Sequence, residues 1–156
     1  MIKLSRIADY GIVLMTELAR AGRAMAMPEL AERTRIAQPM AGKILKALAR
    51  QGLLRSQRGA KGGYDLGRPA ALLTVAEVIE ALDGPIALTA CVDASGTECG
   101  IEAICPARSN WHRINAAIRE ALDGITIAEM ARGWVLGQGG LVVGQSGDAF
   151  HMSAGK

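Results

Sequence analysis

Apolar residues recur at helical spacing through the first part of the chain. The pattern predicts a first helix that begins after Ser5, a side chain suited to capping a helix, and ends at Ala21. Its apolar positions lie three or four residues apart: Ile7, Gly11, Leu14 and Leu18. A shorter helix follows, with Pro28 in its first turn and with Leu30 and Ala31 on its buried side.

A third helix is predicted from Gln38 to Arg50, ahead of Gly52. At 100° per residue its apolar side chains form one stripe: Ala41, Ile44, Leu45 and Leu48. Its cations Lys43, Lys46 and Arg50 cluster on the opposite side. Such a helix could be an ordinary surface helix with a solvated charged face, or it could present that face to a polyanion.

The next segment has the pattern of a short hairpin. Residues 53–57 and 64–66 read as strands, and a glycine-rich turn over residues 58–63 joins them. Glycine allows the backbone to come close to a partner, while Arg58 and Lys61 could reach phosphates or enter a minor groove. A tight hairpin with incidental charge is the alternative. Taken in order, the elements predict a mainly α fold, a winged helix-turn-helix with a small β-hairpin wing.

Three further helices are predicted downstream. Thr74 and Glu77 have the form of a capping box and open a helix that ends at about Asp83. A long helix runs from Pro106 to about Asp123, and a short one follows Thr126. The long helix carries one apolar face, made of Trp111, Ile114, Ile118 and Leu122. So small a domain cannot easily bury that face, so we expect it to pair with a second copy as a C-terminal dimerisation helix; an intramolecular core helix is the alternative.

Composition and charge reduce the number of functional classes to which the chain could belong. The chain of 156 residues is half apolar but only 3% aromatic, a composition suited to one domain of closely packed helices. Residues 1–68 carry 13 Lys and Arg against 5 Asp and Glu, whereas residues 69–156 carry 5 against 10. The basic half is typical of a module that binds a polyanion. With no run long enough to span a bilayer and no signal peptide, we expect a cytoplasmic protein with no membrane partner.

Three regions are therefore expected. Residues 1–69 form the winged helix-turn-helix DNA-binding region, residues 70–131 hold a cysteine loop and the dimerisation helices, and residues 132–156 form a flexible glycine-rich tail.

All three cysteines, Cys91, Cys99 and Cys105, fall within fifteen residues. In a reducing compartment an odd number of clustered thiols favours ligands over disulfides. Thiolates suit iron-sulfur clusters, zinc or Cu(I), and the spacing differs from that of zinc fingers. Cys105 precedes a helix, whose dipole favours the thiolate. Buried structural cysteines are the alternative interpretation.

Several motifs resemble one family of bacterial regulators. They comprise residues 5–10 (SRIADY), 43–48 (KILKAL), 52–66 (GLLRSQRGAKGGYDL) and the cysteine triplet. The chain resembles the IscR/NsrR-type family of dimeric winged-helix transcriptional regulators over residues 1–131. Residues 78–88 and 105–115 look most like the regulators of SUF-type iron-sulfur assembly. The resemblance implies a homodimeric repressor that binds a double-stranded DNA operator and carries a 2Fe-2S or 4Fe-4S cluster.

The sequence departs from the IscR-like pattern at two positions. Arg108 stands where those members have a histidine ligand, and Gly42 stands where they have a glutamate in the recognition helix. NsrR-like members instead take an aspartate from the first helix of the second subunit, a position that Asp9 matches. The resemblance therefore implies Cys91, Cys99, Cys105 and Asp9 as the metal ligands.

The DNA contacts expected from the helix and the wing divide into two sets. Phosphate attraction is assigned to Lys43, Lys46, Arg50, Arg58 and Lys61, with Gly59 beside them in the wing. Base reading is assigned to Gln38, Met40 and Lys43 near the start of the recognition helix, so Lys43 belongs to both sets. The alternatives are a nitric-oxide or redox sensor of the same family and a zinc-stabilised winged-helix interaction module. No nucleophile or phosphate-loop motif is present, so we do not expect an enzyme.

Overall fold

The computed structural model describes residues 3–59, 62–93 and 99–132. Within these ranges the chain forms helices and one antiparallel hairpin. The helices are α1 (Arg6–Ala21), α2 (Met27–Thr34), α3 (Gln38–Arg50), α4 (Val75–Asp83), α5 (Arg108–Asp123) and α6 (Ile127–Arg132), and the strands are β1 (Leu54–Gln57) and β2 (Gly63–Leu66). This is the mainly α winged-helix architecture that the sequence predicts. None of the helices in the described ranges is long and apolar enough to cross a membrane.

Local signals fix the ends of the first three helices. The Ser5 hydroxyl accepts a hydrogen bond from the amide of Ala8, and Gly22 ends α1 in the left-handed conformation at φ 62°. Helix α2 has a proline in its first turn and ends at Arg35, which takes the same left-handed conformation at φ 57°. Helix α3 also has a proline, Pro39, in its first turn, where a residue without an amide proton leaves no donor unpaired.

The core lies where α1, α3 and α4 meet. All four apolar side chains of the predicted α3 stripe are fully buried, as are Leu14 and Leu18 of α1. Helix α6 and the linker after the hairpin close the same core through Ile127 and Leu73. Hydrophobic packing therefore continues across residue 69, and the segment 70–131 contributes to the core of the DNA-binding region.

The hairpin is held against the turn between α1 and α2. Leu54 pairs with Leu66 and Gln57 with Gly63. Met25 and Tyr64 exchange two backbone hydrogen bonds of 2.9 and 2.8 Å, which add a third short strand segment. A Cβ atom on Gly63 would lie 2.4 Å from the carbonyl oxygen of Met25, so this approach requires glycine.

Helix α5 begins later than the sequence predicts, and it is less buried than α1, α3 and α4. The sequence predicts a start at Pro106, but the helix begins at Arg108 because Cys105, Pro106 and Ala107 form a turn in which the Arg108 amide reaches the Cys105 carbonyl oxygen. No side-chain cap bonds to its N-terminus. No residue of α5 is fully buried, whereas α1, α3 and α4 each bury at least four.

We expect Gly63→Ala to lower the free energy of unfolding by about 1–3 kcal/mol, since the new methyl group would meet backbone atoms that cannot move aside. The measurement is urea denaturation at a fixed protein concentration. Gly42→Ala is the matched control: its Cβ would meet only Cγ of Met27 at 4.0 Å, so it should stabilise α3 by about 0.5–1 kcal/mol. A Gly63→Ala protein with the wild-type urea midpoint would contradict this account of the hairpin.

Candidate nucleic-acid interface and cysteine loop

Helix α3 turns a basic face to solvent, made of Lys43, Lys46 and Arg50. All three side chains are exposed, and they lie opposite the buried stripe. With Pro39 and Gly42 they line a groove that runs along the outer side of the helix. The predicted polarity of this helix is therefore present in the structure, and its charged side is free to meet a polyanion.

The two other residues assigned to base reading lie in different environments. Gln38 is exposed and lines the groove, whereas Met40 is half-buried and packs against the hydrophobic core. Met27, at the start of α2, is also half-buried and packs against the core, but it lines the groove. Sequence reasoning missed Met27 because it lies 16 residues before Lys43, the first residue of the basic face, and only the turn between α2 and α3 brings it there.

The wing, residues 54–66, consists of β1, β2 and the basic turn between them. Arg58 and Gly59 are exposed at the end of β1, while Lys61 lies outside the described residues. Gly59 adopts φ 110°, and a Cβ on Gly62 would lie 2.5 Å from the carbonyl oxygen of Gln57. The turn therefore needs both glycines for its shape, which accounts for the glycine-rich pattern independently of any ligand.

An ion pair ties the linker that follows the wing to α4. The Arg68 guanidinium donates to the Glu77 carboxylate at 2.7 Å. The same carboxylate accepts from the backbone amide of Thr74 at 3.0 Å, and the Thr74 hydroxyl accepts from the Glu77 amide, which completes the predicted capping box. Burial alone would raise the pKa of Glu77, but the hydrogen bonds from Arg68 and Thr74 outweigh it and lower the pKa.

Helix α5 is attached to α4 by polar contacts. The Arg119 guanidinium donates two hydrogen bonds, of 2.9 and 3.3 Å, to the Glu80 carboxylate. The Thr74 hydroxyl donates to Asp123 at 2.9 Å. The first part of the apolar face of α5 has little cover in the single chain: Ile114 is 45% exposed and Trp111 is 36% exposed. Further along the face, Ile118 and Leu122 are half-buried, and Leu122 packs against the core.

The cysteine loop, residues 84–107, joins α4 to α5. Asn115 of α5 holds its first part: the side-chain amide donates to the carbonyl oxygen of Ile86 at 2.9 Å and accepts from the amide of Leu88 at 3.1 Å. Cys91 follows in a 3₁₀ turn, where its Sγ lies 3.2 Å from the Thr89 hydroxyl. Sequence reasoning did not single out Asn115, because its role depends on backbone groups 27 and 29 residues away.

The predicted metal ligands are accessible but not gathered together. Cys91, Cys99 and Cys105 are free thiols, each half-buried, and Asp9 is exposed on α1. Among residues 3–59, 62–93 and 99–132, no three His, Cys, Asp or Glu side chains come close enough together to hold a metal ion. The thiols suit a soft metal chemically, yet the described residues of one subunit do not form a complete set of ligands.

The fold, the basic face and the wing define a winged-helix DNA-binding protein. The chain belongs to the Rrf2 family, whose model is described as an iron-dependent transcriptional regulator and matches residues 4–133. This confirms the family that the sequence motifs predict.

Relatives and solved structures agree with that assignment. The chain is 30% identical to the transcriptional regulator CymR of Bacillus subtilis, over 83% of this chain and 90% of the relative. It is 28% identical to IscR of Escherichia coli, over 83% and 80%. The structure of B. subtilis CymR, described as the global cysteine regulator, matches with a TM-score of 0.67 at 29% identity and covers 85% of this chain and 98% of that one. The structure of T. potens IscR matches at 0.62 and 27%, covering 84% and 87%. These relatives are named as regulators, which confirms that the chain is not an enzyme.

We expect Glu77→Gln to lower the free energy of unfolding by about 1 kcal/mol at neutral pH. The pKa of Glu77 is lower in the folded chain, so its stabilising effect is present above the pKa of the unfolded state and is lost as the pH falls through the folded value. The difference between wild type and variant, measured by urea denaturation across pH 3–7, should therefore shrink toward the acid end. Glu120→Gln, at an exposed position of α5, is the control. A difference that stays constant down to pH 3 would contradict the assigned ionic role.

Proposed function

We propose that the chain is a homodimeric, iron-sulfur-sensing repressor of SUF-type iron-sulfur assembly genes. Three half-buried thiols on one loop, in a member of a family described as iron-dependent, carry this proposal. The likeness of residues 78–88 and 105–115 to SUF regulators supports the target genes. A regulator of bacterial promoters would act in the cytoplasm.

The basic face of α3 and the wing would bind the operator. Lys43, Lys46 and Arg50 would approach phosphates, and the exposed Gln38 would reach base edges from the first turn of the helix. Arg58 would approach the adjacent backbone or minor groove from the wing. Two such units related by a twofold axis would match a roughly palindromic site with half-sites about one helical turn apart.

Dimerisation would use the apolar face of α5. Trp111 and Ile114 are exposed there, and Ile101 and Ile104 just before the helix are 58% and 82% exposed. Covering such side chains in a second subunit would contribute about 25 cal/mol for each Å² of apolar surface removed from water. The resemblance to NsrR-like regulators implies that Asp9, exposed on α1 of one subunit, would then reach the cysteine loop of the other.

Cys91, Cys99 and Cys105, with Asp9 of the second subunit, would hold the cluster. When bound, the group would supply a site that iron limitation, oxidants or nitric oxide can change. Asn115 of α5 holds the first part of the loop, and Arg119 of α5 bonds Glu80 of α4. A change of loop conformation would therefore be transmitted through α5 to α4, the helix that packs against the DNA-binding core. Coupling of this kind is typically worth ~1–3 kcal/mol.

We expect protein purified without oxygen to contain iron and acid-labile sulfide and to absorb visible light. Its affinity for the promoter of a SUF-type operon should differ about 5- to 150-fold from that of the apoprotein. Replacing any of the three cysteines with alanine should abolish the difference, whereas Arg119→Ala, which removes no thiol, should retain the cofactor. The measurements are metal and sulfide analysis, an absorption spectrum and gel shifts of both forms.

The outcomes of that experiment separate the candidate functions. Colourless protein with stoichiometric zinc would favour a zinc-stabilised interaction module. Protein that stays free of iron after reconstitution would overturn the sensing role. Equal affinity of the holo and apo forms would show that the loop does not control DNA binding.

We expect Ile114→Glu to convert the dimer to a monomer at micromolar concentration, since it places a charge in the apolar face of α5. Sedimentation velocity measures the change, and circular dichroism checks that the helices remain. Ala116→Glu is the matched control, because Ala116 is exposed on the opposite side of the same helix. A variant at position 114 that remains dimeric would exclude this face as the subunit interface.

A further inference from the structure

Gly42 lies in the interior of α3, where glycine is the poorest helix former after proline. Two of the usual reasons for a helical glycine do not apply to it. Its φ is not positive, in contrast to Gly22, Gly52, Gly59 and Gly84. A Cβ atom at position 42 would meet nothing closer than Cγ of Met27 at 4.0 Å, an ordinary van der Waals contact.

Gly11 of α1, in contrast, is a helical glycine that close packing requires. A Cβ there would lie 2.3 Å from Cδ1 of Leu82, so the close approach of α1 and α4 accounts for the missing side chain. No such neighbour accounts for Gly42. The space that its missing side chain leaves lies in the groove of the basic face, on the side that would meet DNA.

The groove has both apolar and polar lining residues. Met27 and Gly42 are half-buried in it, Pro39 is exposed, and none of the three side chains can donate or accept a strong hydrogen bond. Gln38, Lys43, Lys46 and Arg50 are exposed. The exposed cations attract phosphates, and the half-buried apolar residues favour contact with an apolar group.

Of the groups that the four bases expose in the major groove, the C5-methyl of thymine is the only methyl group and the largest apolar one; apart from the small C5–H of cytosine, the others are hydrogen-bond donors and acceptors. We propose that Gly42 and Met27 form a notch that receives this methyl group, so that each recognition helix selects a thymine in its half-site. The inference rests on the proposed binding of operator DNA and adds Met27 and Gly42 to the residues that determine its specificity.

The test compares thymine with uracil, which lacks only the methyl group. A binding site is selected from a random duplex library with the wild-type protein, and each dT is then replaced singly by dU. We expect one position in each half-site at which the replacement weakens binding about fourfold, the effect of burying one methyl-sized group. Equal affinity for dT and dU at every position would overturn the proposal.

Variants of the notch identify the residues responsible. Gly42→Ala should fill the notch and bring the dT-to-dU ratio at that position below twofold, while its melting temperature rises above that of the wild type. Met27→Ala should also bring the dT-to-dU affinity ratio below twofold, whereas Met27→Leu, with a side chain of similar size, should keep the ratio of the wild type. Lys46→Ala is the matched control: it should weaken binding to the dT and dU duplexes equally and keep the fourfold ratio, because it removes a phosphate contact.

The two levels of failure are distinguishable. A protein that selects no duplex from the library would overturn DNA binding itself. A protein that binds a selected duplex in a salt-dependent way, but whose Gly42→Ala variant keeps the full preference for thymine, would overturn the notch alone.

Discussion

Four side chains of α3 are completely removed from water, and this burial fixes the orientation of the helix. Because a helix turns 100° per residue, burying Ala41, Ile44, Leu45 and Leu48 directs the remaining face outward. That face holds the cations and the groove. Each large apolar side chain so buried contributes about 1.5–3 kcal/mol, far more than mutual repulsion of exposed cations would cost. A functional surface and a stable core are therefore two sides of one helix.

Helix α4 links this core to the rest of the chain. Glu77 bonds Arg68 beyond the wing, and Glu80 bonds Arg119 of α5. The Ser5 hydroxyl, at the start of α1, donates a hydrogen bond to the carboxylate of Asp83, the last residue of α4. The cysteine loop begins at the end of α4, and Asn115 of α5 holds its first part. Helix α4 is therefore in contact with both the DNA-binding core and the loop. This arrangement supplies a continuous set of contacts between the two regions.

Several features were predictable because short-range signals determine them. The Ser5 cap, the capping box of Thr74 and Glu77 and the stripe of α3 all involve residues within a few positions of one another. The fold class followed from the order of the predicted elements, and the family followed from the resemblance of residues 5–10, 43–48 and 52–66 and of the cysteine triplet. The start of α5 was predicted two residues too early, because Pro106 suits a first helical turn while the Cys105 carbonyl oxygen closes a separate turn there.

The sequence by itself determined which segments are helical, which face of each is apolar and where the positive charge and the thiols are concentrated. Only the tertiary structure decided that Met27 borders Gly42, that Asn115 holds the backbone at Ile86 and Leu88, and that Gly63 must admit the Met25 carbonyl oxygen. Periodicity and capping act between near neighbours, so the order of residues reveals them. Contacts between distant segments depend instead on how the helices pack, which no local pattern specifies.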